Sequence, residues 1–307
     1  MRLAPLTHNS LVYPLSPLIV IAAALALVPY FAAGFFPSRF GAWVRRLPGF
    51  VQVFVPALLC VPYLLVAIDR HVFSPRWLAL YAILPVAMAA LMAVSRAGGK
   101  GPGYWMELVV LAVLGLAVDL RWFESAWPAR LSIFNKVLLL DAGIYAFVGV
   151  RDLDGVGFDL RLGVRDVLIG LREFVFFFPF ALGLGLVLGF LHLHSFGPAI
   201  VTVLLKFAGA WLFTFFFIAV PEELFFRGWL QNLLERHIGR RSALFATAIL
   251  FGMSHFNKRT AFFNWRYVLL AAVAGIFYGR AWRSRRRVGA SSITHATVDS
   301  VWSLWFR

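Results

Sequence analysis

The sequence predicts an all-α fold: a polytopic transmembrane helical bundle of about eight to ten spans, each needing about 20 apolar residues. Three observations predict it. Of the 307 residues, 61% are hydrophobic and only 14% charged, against about 25% charged in a soluble domain, and the mean hydropathy is +0.81. Stretches free of Asp, Glu, Lys and Arg recur at span length. The 29 Lys and Arg residues, which give a net charge of +15, fall mainly in the short gaps between those stretches, as retention of cationic loops on the cytoplasmic side produces. So little polar surface excludes a disordered chain and an ordinary cytosolic enzyme. The gap pattern assigns the positive charge to topology rather than to nucleic acid. The single cysteine, Cys60, excludes an intrachain disulfide and a thiol metal cluster.

Each span follows from its run. The first occupies 15–36, with Pro17 and Pro29 in or near it. It is too long for a signal h-region and is preceded only by Arg2, so a cleavable signal peptide is a poor reading. Residues 47–68 and 77–95 give the second and third spans, and the Gly-rich stretch 98–103 a loop. The fourth, 104–118, includes Glu107, and the fifth, 131–150, carries Lys136 and Asp141. Residues 151–173 change character: Asp and Arg residues mix with Leu160, Val164, Val167, Leu168 and Leu171 at helical spacing, so the second half reads as an interfacial amphipathic helix. The next 32 positions, 174–205, are charge-free. A turn at Ser195–Pro198 splits them into a sixth span, 174–192, and a seventh that begins near Ala199 and runs into Pro221-Glu222-Glu223. The eighth, ninth and tenth lie near 242–256, 266–279 and 289–306.

Three regions follow: an N-terminal membrane-spanning region of unassigned role (1–150), an amphipathic linker (151–173) and a C-terminal membrane core (174–307). Across alternating loops, one side holds 18 Lys and Arg and the other 9, which places the richer set on the cytoplasmic face and both termini opposite.

Ionisable groups inside a membrane are costly and mark function by default. In Pro221-Glu222-Glu223-Leu224-Phe225-Phe226-Arg227, Glu223 and Arg227 are four apart and face each other on a helix. Glu222 sits about 100° around the helix and need not share that partner, which suits a general base. Pro221 removes an amide donor and can open the helix towards a cavity. The same residues would also suit a solvated ion pair where a helix surfaces. Phe251 and His255 lie one turn apart, with Gly252 allowing close helix approach; His255 could serve packing instead. His295 and Asp299 are again four apart, so the carboxylate can orient the imidazole or close a self-contained pair.

The order Glu-Glu-x-x-x-Arg, Phe-x-x-x-His, His-x-x-x-Asp resembles the CPBP family of CAAX prenyl proteases and bacteriocin-processing proteins, also called Abi. Leu233-Leu234-Glu235 through Ala246-Ile249-Leu250-Phe251, and Ala274-Gly275-Ile276-Phe277-Tyr278-Gly279-Arg280, look like further family segments. The resemblance covers about residues 165–305.

It implies an intramembrane glutamic endopeptidase. Carried onto matching positions, Glu222 activates water as general base, His255 helps hold that water, and Glu223 and Arg227 are the supporting pair. His295 and the residue four on stabilise the oxyanion. That last position is often Asn in CAAX-type members but is Asp299 here. An ionised Asp would repel an oxyanion, so the preferred reading has Asp299 polarise His295 and leaves His295 as donor. No cofactor is expected. Zinc is the mechanistic rival, disfavoured because His-Glu-x-x-His is absent, the histidines lie on different spans and Arg227 repels a dication. The alternative functions are a non-proteolytic membrane partner or immunity protein and a transporter with a polar cavity. Expected partners are a membrane-associated peptide or protein substrate and the lipid bilayer, with no nucleic acid. The expected location is a bacterial inner (cytoplasmic) membrane. Neither the substrate's identity nor an oligomeric state follows from the sequence.

Overall fold

The computed structural model describes residues 16–97, 103–128, 131–192, 200–257 and 263–306. These residues form eleven helices and no strand. In chain order they are α1 (Pro17–Phe35), α2 (Pro37–Arg46), α3 (Gly49–Asp69), α4 (Pro75–Ala97), α5 (Gly103–Asp119) and α6 (Ile133–Val150). There follow α7 (Val164–Val187), α8 (Val201–Ile238), α9 (Arg240–Met253), α10 (Trp265–Arg285) and α11 (Val288–Trp305). By length and composition six of them can cross a membrane: α1, α3, α4, α6, α7 and α8. The shorter, more charged or less apolar α5, α9, α10 and α11 fall on the stretches expected as fourth, eighth, ninth and tenth spans. Large apolar side chains such as Val28, Phe54, Ile83 and Val187 point outward. That surface suits acyl chains rather than water, and the chain is an integral multi-pass membrane protein.

Local chemistry sets several boundaries. Ser16 caps α1 by accepting from the Ile19 amide at 3.2 Å, with Pro17 in the first turn where no amide is needed. Asp166 accepts from the Gly163 amide at 2.9 Å and fixes the start of α7. The amphipathic segment expected before the sixth span is therefore the first turns of one continuous α7, which ends at Val187. Its apolar residues Val164, Val167, Leu168 and Leu171 face outward, whereas Asp166 and Glu173 are buried. The inversion has a cause: Arg285 and Arg287 pair with Asp166, and Arg172 and Arg280 with Glu173. Leu160 belongs to the core, not to that stripe. The turn expected at 195–198 and residues 98–102 of the loop expected over 98–103 lie outside the described residues, and Gly103 already opens α5.

Two apolar cores meet on α8. The larger joins α1–α6 to one side of α8 through Phe215, Val220, Leu224, Trp229 and Leu233. The smaller gathers Phe177, Phe226, Phe251, Ala274, Phe277 and Tyr278 from α7 to α10. The N-terminal helices thus pack directly on α8: Trp229 stacks on Phe147 at 5.0 Å between centroids, and a Cβ on Gly143 would come 2.6 Å from the Trp229 ring. The segment between α6 and α7 passes under the α10–α11 turn, where Trp282 Nε1 donates to the Val156 carbonyl at 3.1 Å. Gly157 makes this crossing possible. Its φ is +71°, and a Cβ there would lie 1.9 Å from the Arg286 carbonyl oxygen.

Of the charges expected inside the first half, Glu107 is buried and pairs with Arg151 and Ser95, while Lys136 is exposed. Asp141 is buried, and neither of its oxygens has a hydrogen-bond partner among the described residues.

Candidate active site

The site begins with the irregular middle of α8. Phe215–Ala219 and Leu224–Gln231 are π-helical and flank the short α-turn Val220–Glu223. Pro221 explains part of this. In π register the Phe216 carbonyl would accept from the amide five residues on, and that residue is Pro221, which has no N–H. Tyr30 of α1 fills the gap, donating its hydroxyl to the Phe216 carbonyl at 2.9 Å. The proline therefore leaves α8 continuous, and an N-terminal side chain satisfies the carbonyl beside the two glutamates. π-Turns of this kind occur often at functional sites.

Glu223 and Arg227 point inward and are fully buried. Arg227 Nη1 donates to Glu223 Oε1 at 3.0 Å, and Nη2 donates to the Gly275 carbonyl of α10 at 3.1 Å. Its guanidinium lies 4.5 Å from the Phe251 ring centroid and 5.4 Å from that of Tyr278. A planar fork serving two acceptors between aromatic faces is arginine chemistry that lysine does not reproduce.

Glu223 Oε1 takes a second donor, His295 Nδ1, at 2.9 Å. A carboxylate only accepts, so this nitrogen carries the proton. His295 Nε2 then faces two more carboxylates: Asp299 Oδ2 at 3.5 Å and Glu222 Oε2 at 3.9 Å. The Glu222 and Asp299 side chains are 28% and 38% exposed, so both border on accessible space. Two ties place α11 for this contact. Trp211 of α8 donates to Thr297 Oγ1 at 3.1 Å, and Thr294 donates to the Gly170 carbonyl of α7 at 3.0 Å.

His255 follows the last turn of α9 and is buried. Its Nδ1 lies 2.8 Å from the Phe251 carbonyl oxygen. A carbonyl cannot donate, so Nδ1 carries a proton, and in the neutral ring the lone pair is then on Nε2. Gly252 lets α9 come this close to α10, because a Cβ there would sit 2.5 Å from the Val268 carbonyl oxygen and 2.8 Å from Ala272 Cβ.

A cavity of ≈ 60 Å³, measured as space open to the centre of a water molecule, is bounded by His255, His295, Asp299 and Tyr278 at its polar end and by Phe177 of α7 at its apolar wall. One water needs about 10–15 Å³ by that measure, so several fit.

The structure thus brings five of the six sequence-derived candidates into one chain of contacts, Arg227–Glu223–His295–Asp299 with Glu222 at Nε2, and puts His255 on the same cavity. Two features escaped the sequence. His295 Nδ1 donates to Glu223 on α8, while Asp299 stands at the opposite ring nitrogen. Tyr278 stacks on His295 with centroids 4.6 Å apart and planes at 16°; it lay in view within the ninth-span segment, but nothing in its spacing singled it out. Among the described residues no group of three His, Cys, Asp or Glu side chains is arranged to hold a metal ion.

Residues 204–301 match the family model of type II CAAX prenyl endopeptidases, Rce1-like. That stretch covers α8 to α11 almost entirely and contains all six candidates. No curated protein and no solved structure matches the chain. At family level the match supports a CAAX-type intramembrane protease acting on peptide substrates.

Proposed function

We propose that this chain is an intramembrane endopeptidase of glutamic type, in which Glu222 activates water for attack on a peptide bond of a membrane-associated substrate. One observation carries the reading: a buried guanidinium–carboxylate–imidazole chain on α8 and α11 ends at His295 Nε2, beside Glu222 and at the edge of a cavity shared with His255. Hydrolysis needs a base, a place for water and a donor for the oxyanion. Glu222 is the base. A neutral His255, with its proton on Nδ1, holds the water through one of the water's hydrogens, and the surrounding helices exclude bulk solvent. His295 faces the developing charge. With Nδ1 committed to Glu223, Nε2 donates only from a doubly protonated ring, whose charge Glu223, Asp299 and Glu222 balance. This extends the polarising role read for Asp299 to three carboxylates. Arg227 and Glu223 fix the ring and do not touch the substrate.

The mechanism as drawn needs no metal. A cleavage abolished by a chelator and restored by Zn²⁺ would replace it with the zinc reading. A bacterial inner membrane is the location this reading assumes. The family's name supplies the first probe: a farnesylated peptide ending in Cys-aliphatic-aliphatic-X, presented to the full chain in lipid nanodiscs. Cleavage by the wild type and its loss in Glu222→Ala, with the variant still folded and inserted, supports the protease. No cleavage of this peptide or of a membrane-anchored protein substrate favours a non-proteolytic partner or a transporter, the reading to which the buried Asp141 carboxyl belongs.

A further inference from the structure

Tyr278 is 2% exposed and lies on the cavity wall between His295 and the aromatic cluster of α7 and α9. Its ring is held on several sides. It stacks on His295, meets Phe251 edge-on with centroids 5.7 Å apart, and has Arg227 at 5.4 Å. The hydroxyl is different. Tyr30, Tyr63, Tyr81 and Tyr145 each donate to a protein acceptor, Phe216, Ser74, Asn135 and Gln52 respectively. The Tyr278 hydroxyl makes no hydrogen bond to a described residue, and it is not one of the fully enclosed partnerless atoms, so it opens on accessible space where an incoming group can accept from it. A rigidly held donor without an acceptor, at the polar end of a cavity, is what a site built for a developing oxyanion contains. A carboxylate at Asp299, when ionised, accepts and cannot donate, which leaves this role to another side chain.

We propose that Tyr278 is a catalytic residue that donates its O–H to the carbonyl oxygen of the scissile peptide. The inference rests on the Glu222 reading above. In the attack step the water O–H bond breaks and its proton passes to the Glu222 carboxylate. The water oxygen bonds to the carbonyl carbon, and the carbonyl π pair moves onto the oxygen facing Tyr278 and His295. On collapse that pair re-forms the C=O bond, the C–N bond breaks, and Glu222 returns the proton to the leaving nitrogen. Tyr278 keeps its proton throughout, so its donation requires no change of ionisation.

The test uses Tyr278→Phe in the full chain in nanodiscs, because phenylalanine keeps the ring on His295 and removes only the hydroxyl. With the farnesylated peptide, kcat falls about 10²–10³-fold, the loss expected for one oxyanion donor, while KM stays within about twofold. Affinity for a peptidyl phosphinate, which mimics the tetrahedral intermediate, falls along with kcat. Affinity of the intact peptide for Glu222→Gln is the same with and without Tyr278→Phe. Difluorotyrosine at position 278, which keeps the O–H, retains kcat within about threefold. A Tyr278→Phe enzyme at the wild-type rate overturns the inference, as does a loss of kcat accompanied by an equal loss of intact-peptide binding. If Glu222→Gln still cleaves, the base assignment fails and this inference falls with it. An inactive Glu222→Gln beside a fully active Tyr278→Phe rejects Tyr278 alone.

Discussion

Arg227→Met places the heaviest load on the account of how the site is built. Arg227 is fully buried, and its side chain gives one charge-assisted bond to Glu223 and a second bond to the Gly275 carbonyl. Methionine fills similar volume between Phe226, Phe251 and Tyr278 but supplies no charge. Glu223, itself fully buried, keeps only His295 as donor among the described residues. Removing one partner of a buried ion pair costs about 3–5 kcal/mol, because the remaining charge stays desolvated. The second bond and the guanidinium's contacts with the rings push the figure towards the upper end of that range. Neutralising the partner as well should reverse much of this loss: Glu223→Gln with Arg227→Met is expected to recover at least about half of it, since the replacement of both members of a buried pair is often near neutral. Reversible SDS titration of the purified chain in mixed micelles, followed by tryptophan fluorescence, measures all three variants. An Arg227→Met protein within about 0.5 kcal/mol of wild type would refute the reasoning. So would a double variant less stable than the single one.

Three further outcomes follow from contacts away from this pair. Tyr30→Phe leaves the Phe216 carbonyl without its donor and should cost about 1–3 kcal/mol in the same titration, whereas an unchanged midpoint would mean that Tyr30 does not support the π-turn. Gly252→Ala drives a Cβ into the Val268 carbonyl and should cost about 1–3 kcal/mol or more; a neutral result would contradict the close crossing of α9 and α10. Burial pushes the Asp159 carboxyl up, but hydrogen bonds from Arg161 and the charges of Arg287 and Arg161 more than offset this and hold it below its ordinary value of 3.8. Its stabilisation is therefore complete above the unfolded value and is lost as pH falls through the lower folded one. Asp159→Asn should flatten the stability curve below about pH 4 and lower stability by a constant amount above it, and an unchanged acid limb would reject the assignment.

Much of this architecture is legible in the sequence because a bilayer simplifies the code. Length and absence of charge locate α1, α3 and most of α4, and length with few charges locates α6 and the first half of α8, whatever packs against them. Spacing of four residues puts Glu223 with Arg227 and His295 with Asp299, because helical geometry is local. What sequence spacing could not supply is partnership between helices. The Glu223–His295 bond joins residues 72 positions apart, and Tyr30 reaches Phe216 across 186. The amphipathic stretch before α7 shows a different limit. Its apolar stripe was visible, but a bilayer allows that stripe to face lipid while Asp166 and Glu173 turn inward to arginines brought by α10 and the α10–α11 turn. Pro221 signalled an interruption, whereas π-turns and a tyrosine from α1 keep α8 continuous.

Single-turnover cleavage of the farnesylated peptide by wild type and Glu222→Gln, each in nanodiscs and each confirmed folded by its SDS unfolding midpoint, tests the role of Glu222 most directly. Loss of the general base predicts a rate at least about 10²–10⁴-fold lower in the variant, with peptide binding preserved. A Glu222→Gln protein that stays folded, binds the peptide and cleaves it within about twofold of the wild-type rate would contradict water activation by this carboxylate.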